Sequence, residues 1–190
     1  MILFRKPGRP FIDDFIARQS REPFNYPHVG RTREEPPPGY VVDHNRVQLG
    51  EGEAVFTAAC RALECWQMFN LGWVQLCWPD APIQEGTTVA ILVNLYGIWW
   101  LNASRIVYPI DETAPIRRYG FAYGTLTDHA ESGEERFSVE WREDDTVWYD
   151  LLAFSRPRHI LARIGRPLAR RTQKRFAAES LAAMQELGSG

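Results

Sequence analysis

Five consecutive stretches of this chain read as strands: Thr87 to Leu95, Trp99 to Ile110, Arg117 to Leu126, Glu134 to Arg142 and Thr146 to Ser155. A strand sends successive side chains to opposite faces, so such a series with short links predicts an antiparallel meander. The alternation is clearest where Phe137, Val139 and Trp141 oppose Arg136, Ser138, Glu140 and Arg142. Glu143-Asp144-Asp145 supplies a turn into the last stretch. That stretch is apolar on both phases, with Val147, Tyr149 and Leu151 on one and Trp148, Leu152 and Phe154 on the other. A sheet wetted on one side has no use for this, so both faces of the strand are predicted to be covered.

The flanking segments follow other rules. Tyr40 to Leu49 reads as a first strand, ended by Gly50 and Gly52. Glu51 to Gln67 has helical spacing, with Val55, Ala59, Ala62, Leu63 and Trp66 on one face. Asn70 to Trp78 reads as extended, with Leu71, Trp73, Gln75 and Cys77 to one side. Beyond Pro157 the pattern turns helical. Pro167 divides it into a short helix, Arg158 to Ile164, and a long one, Pro167 to Leu187, striped by Phe176, Ser180, Ala183, Met184 and Leu187. Gly188 is a natural terminator. Residues 1–38 form an N-terminal arm: Pro10 opens a short helix through Gln19, and Pro36 to Pro38 marks the boundary. Phe11, Phe15, Phe24 or Tyr26 of this arm is predicted to cover the sheet's outer face. Residues 39–190 then form a single α+β domain, a curved antiparallel sheet of about seven strands wrapped around a long C-terminal helix. A gap between the two would hold a ligand.

Composition narrows the function classes. A chain of 190 residues, 45% hydrophobic, can bury one full core, and its net charge of −2 excludes a uniformly basic protein. Cys60, Cys65 and Cys77 have neither disulfide nor zinc spacing, which points to a reducing cytoplasm and to no metal site. MILFRKPGRP breaks into charge and proline before a signal-peptide core can form. The apolar run from Val89 to Ala103 is too short to span a bilayer. No cofactor motif is present, and the GEE string lacks the glycine spacing and lysine of a phosphate loop. No Ser or Cys nucleophile stands in a recognised triad pattern.

The candidate site centres on Tyr123 to Trp141. Glu135 is in phase with Phe137, Val139 and Trp141, so a carboxylate is predicted on an apolar face, where it is costly unless paired or hydrogen-bonded. Two readings follow. Glu135 is a pocket acid or base, or it pairs with Arg105, which is in phase with Leu101, Ala103 and Val107; the pair is preferred. Tyr123 and Thr125 share a face with Tyr119 and Phe121 and offer hydroxyls to a ligand. Trp141, Tyr149 and Phe176 supply further wall. His129, beside Asp128, Glu131 and Glu134, is a candidate proton shuttle, though a structural histidine in a polar turn is the simpler reading. Arg156 to Arg175 holds eight basic residues, Arg156, Arg158, Arg163, Arg166, Arg170, Arg171, Lys174 and Arg175, and no acid. It is read as a solvated helix face balanced by the acidic residues from Asp128 to Asp145, with an anionic partner as the alternative. No nucleic acid is expected.

The strings GYVVDHNRVQLGEGEAVFTAACRALECWQMFNLGWVQL, YGTLTDHAESGEERF and AFSRP, then Gln173 with Phe176, make a closer match possible. Together they resemble a bacterial and plant family known only as a domain of unknown function, number nineteen-ninety. The resemblance runs from about Phe24 to Met184. The order of elements is similar to the helix-grip fold of the START and Bet v 1-like (SRPBCC) superfamily. The resemblance implies that fold and a tendency to bind small hydrophobic molecules, lipids included. It implies no particular reaction. The expected function is therefore ligand binding between sheet and helix. The rivals are a cofactor-independent cyclase, dehydratase or isomerase, and an interaction protein using the basic stretch.

Overall fold

The five stretches become strands β4 (Thr88–Leu95), β5 (Ile98–Glu112), β6 (Arg117–Thr125), β7 (Glu131–Trp141) and β8 (Thr146–Pro157). These coordinates are a computed structural model, which describes residues 1–157 and 166–188. With β2 (Val41–Glu51) and β3 (Val74–Leu76) they form a sheet in the order β2-β8-β7-β6-β5-β4-β3, and the short β1 (Ile2–Leu3) lies along β5. Every pairing is antiparallel. The meander is as expected. The edge beyond β8 is taken by β2, with Val41 opposite Ser155 and Glu51 opposite Thr146.

The inner face carries the helices. Helix α2 (Gly52–Glu64) follows β2 without a loop. Gly52 makes the corner at φ +85°, a left-handed conformation that a residue without Cβ adopts freely. Its N–H donates to the Asp145 carbonyl at 2.9 Å. Phe56, Ala59, Ala62 and Leu63 of α2 are buried, Phe56 taking the place expected of Val55. A 3-10 turn, Gln67–Phe69, adds Met68 and Phe69. Helix α3 (Arg166–Gly188) presses Ala177, Ser180 and Met184 into the same core, with Phe121, Phe137, Val139, Val147 and Tyr149 beneath. Each large side chain so buried contributes about 1.5–3 kcal/mol. This is the helix-grip arrangement. The expected short helix, Arg158 to Ile164, lies outside the described residues. Of the segment Asn70 to Trp78 only Val74–Leu76 is a strand, with Val74 and Leu76 facing the core and Gln75 exposed. Trp73 is drawn to α3, where its indole N–H donates to Glu179 at 2.5 Å and Arg175 stacks 4.4 Å from its ring.

The outer face is covered too. Ile12 and Phe15 of α1 (Arg9–Gln19) are buried against Leu92, Leu101, Ala103 and Leu126. Phe11 stays largely exposed. Tyr26 meets the Phe154 ring edge-on at 5.9 Å and crosses Gly124, where a Cβ would lie 2.1 Å from the tyrosine hydroxyl. Thr32 hydrogen-bonds Tyr108 at 2.7 Å, and Arg33 stacks over the same ring at 4.0 Å.

Candidate functional site

The two helices do not fill the inner face. At the end where β6 stops and β7 starts, a partly open cavity of about 210 Å³ remains between sheet and α3. Phe69, Val93, Leu151 and Phe176 supply apolar wall, and Tyr123, Glu131 and Glu135 bring polar groups into it. The positions follow from register. Tyr123 lies directly opposite Glu135, which lies opposite Ala153. Paired residues of an antiparallel sheet point to the same side.

Glu135 is thus where the alternation places it, facing inward in line with Phe137 and Val139. Its partner is Tyr123, whose hydroxyl donates to Glu135 Oε2 at 2.7 Å. Burial pushes the carboxyl up to about 7; the Tyr123 hydrogen bond opposes this and the charge of Asp43 adds to it. The same burial, with the neighbouring carboxylate, holds the Tyr123 phenol well above its ordinary range. The pair therefore keeps a carboxyl that gains or loses a proton near neutrality beside a hydroxyl that stays protonated.

The expected partner Arg105 is elsewhere. It shares a phase with Leu101 and Ala103 as read, but that phase faces outward, under the arm. Its guanidinium donates to the Gln19, Ser20 and Glu22 carbonyls at 3.1, 2.8 and 2.9 Å and so caps the C-terminal end of α1. Two further candidates face inward away from the cavity. Tyr149 is fully buried, its hydroxyl 3.0 Å from Ser180 Oγ of α3. Trp141 lies six residues along β7 from Glu135, roughly 20 Å at strand rise, against Phe56 of α2. Helix α2 occupies that end of the inner face, so neither residue reaches the open space. Thr125 borders the cavity, but its hydroxyl is taken by Asn25 Oδ1 at 2.5 Å and the Gly133 carbonyl at 3.1 Å. Phe176 lines the cavity beside Phe69, 5.4 Å between ring centres.

His129 also borders the cavity. Its Nδ1 accepts the Glu131 N–H at 3.0 Å. Burial, then the nearby Met1 ammonium, brings the imidazole down to about 4. That keeps it neutral at physiological pH.

Sequence reasoning missed Glu134, which it counted among solvated acids. It is buried on the outer side, gripped by the Tyr26 hydroxyl at 2.6 Å, the Gly30 and Thr32 N–H groups at 2.7 and 2.9 Å, and the Thr32 hydroxyl. Four donors replace its hydration. The only signal in the chain was that Glu134 and Glu135, being adjacent on a strand, must face opposite ways. The basic stretch is likewise paired differently from expectation. Arg170 is bidentate to Asp43 and Arg175 bonds Glu179 at 2.7 Å, so the acids of Asp128 to Asp145 are not their partners. Arg158 and Arg163 lie outside the described residues. Among the described residues no group of three or more His, Cys, Asp or Glu is arranged for a metal, and no helix is long and apolar enough to cross a membrane.

A family model described as a domain of unknown function, DUF1990, matches residues 25–183. A UPF0548 protein of Dictyostelium discoideum is 36% identical over 95% of this chain and 92% of its own. A UPF0548 protein of Deinococcus radiodurans is 36% identical over 93% of each. Among solved structures, a hypothetical protein of Helicobacter pylori superposes with a TM-score of 0.53 at 9% identity, covering 86% of this chain and 95% of that one. That last likeness is one of fold alone.

Proposed function

We propose that this chain, which belongs to the DUF1990 family, binds a small, largely apolar molecule in the cavity between sheet and α3. One observation carries the reading: an opening of about 210 Å³ walled by aromatic and aliphatic side chains, with the Tyr123–Glu135 pair at its side. Engineered apolar cavities of roughly 150 Å³ admit benzene, whereas drug-sized ligands take about 300 Å³ or more. The occupant is therefore about one ring with a short substituent. Tyr123 and Glu135 orient it, and Phe69, Val93 and Phe176 desolvate it. The three free cysteines support a cytoplasmic setting.

The test is a hydrophobic-dye displacement assay with native mass spectrometry on the full chain. Ala153→Phe, which fills the cavity from β8, is expected to abolish dye binding while the circular dichroism spectrum stays unchanged. Dye binding that survives this substitution sinks the reading.

The enclosed pair favours a second reading. A carboxyl brought up to about 7 beside a protonated phenol can take a proton from a bound substrate and return it, as a cofactor-independent isomerase, cyclase or dehydratase requires. Turnover of a bound compound that is indifferent to Glu135→Gln removes this reading.

A further inference from the structure

The polar side of the cavity has one sign. Of the described residues lining it, none is lysine or arginine, while Asp43, Glu131 and Glu135 are acids on the inner side and Glu134 turns its carboxylate outward to the arm. Arg170 already holds Asp43. The other two keep an oxygen without a partner. Glu135 receives Tyr123 at Oε2, and Oε1 has no donor among the described residues. Glu131 Oε2 is shielded from solvent and has no hydrogen bond at all. A buried carboxylate oxygen without a donor, as at Glu131, is costly, and Glu135 Oε1 beside it is open to the cavity. A ligand able to donate to both recovers that cost, and one that presents another anion compounds it.

The apolar side has a preference of its own. Phe69, Trp73, Tyr123 and Phe176 bring four ring systems to a small volume, with Phe69 5.4 Å from Phe176 and 6.2 Å from Tyr123 between centres. Ring faces are electron-rich and attract cations. Rings and free carboxylate oxygens favour the same charge on a guest, by different physics and from different elements.

Building on the ligand-binding reading above, we propose that the cavity takes a small organic amine. Its ammonium group donates to Glu135 Oε1 and Glu131 Oε2, and its single-ring body lies against Phe69, Val93 and Phe176. The test uses four probes of matched shape: phenethylamine, phenethyl alcohol, propylbenzene and hydrocinnamate. Each is titrated by calorimetry into the full chain at neutral pH. Phenethylamine is expected to bind at least about tenfold tighter than the alcohol or the hydrocarbon, with hydrocinnamate weakest. Glu135→Gln and, separately, Glu131→Gln should each reduce that preference while propylbenzene binding stays. The two near-isosteric variants sit on one strand, and either alone decides if the other fails to fold. Alcohol or hydrocarbon binding as tightly as the amine, or hydrocinnamate binding best, overturns the amine assignment and leaves the apolar-ligand reading standing. If no probe binds and no dye is displaced by cavity filling, both fall together.

Discussion

At the scale of single residues, Glu135 and His129 pull stability in opposite directions with pH. Glu135 rises from an ordinary 4.5 to about 7, so between those values the folded chain keeps a proton that the unfolded chain has released. Its contribution is present below 4.5 and is lost as pH climbs to 7. His129 falls from 6.5 to about 4, so between those values the unfolded chain binds a proton that the folded chain refuses. Its contribution is present above 6.5 and is lost as pH drops to 4. The two slopes offset each other from about 4.5 to 6.5. Glu135→Gln is therefore expected to match the wild type near pH 4.5 and to exceed it by about 1–2 kcal/mol at pH 8, allowing for water reaching the cavity. Urea unfolding at the two pH values measures this, and a variant less stable at pH 8 contradicts it. Glu135's inward direction was legible from Phe137 and Val139. Arg105's outward direction was not, although the same rule applied. Alternation says which residues share a face, and it names the inside only when the other face is polar. Here both faces are apolar.

At the scale of elements, β4 to β8 were legible because each reads as a strand pattern bounded by turn residues, although β7 begins at Glu131, three residues before the expected Glu134. The two-phase apolar pattern of β8 also announced cover on both sides. What could not be read was how far α2 fills the inner face. That depends on the corner at Gly52 and on the long-range seating of Phe56 and Phe69, and it decides that Tyr149 and Trp141 are kept from the cavity while Tyr123 and Phe176 line it. The arm's hold was equally hidden, since Glu134 meets Tyr26, Gly30 and Thr32 across more than a hundred positions of sequence. Gly124 makes this contact sterically feasible. Gly124→Ala is expected to push Tyr26 off β6, leaving Glu134 short of a donor, at a cost of about 1–3 kcal/mol. Amide exchange should accelerate at Gly30 and Thr32 while the β7–β8 ladder stays protected. Uniform loss of protection across both would mean that the arm and sheet unfold as one.

At the scale of the whole molecule, binding and stability are coupled because the cavity wall is shared between the sheet and α3. A ligand present at about 100 times its dissociation constant adds roughly 2.7 kcal/mol, provided that it leaves the unfolded chain alone. Thermal melts should rise with the logarithm of phenethylamine concentration, and Ala153→Phe should flatten that dependence. A rise that persists in the filled variant would place binding outside the cavity. Topology sets a different constraint. The edge strand β2 is among the earliest parts of the sheet to leave the ribosome, and its partner β8 is nearly the last: Glu51 waits for Thr146. At a synthesis rate of about 5–20 residues per second, that interval is roughly 5–20 s. During it, Val41, Val42 and Val47 have no neighbour to pair with. The nascent chain must therefore pass through a stage in which its first long strand is a bare edge, which makes this stage the point where chaperone capture or clumping with other nascent copies would begin.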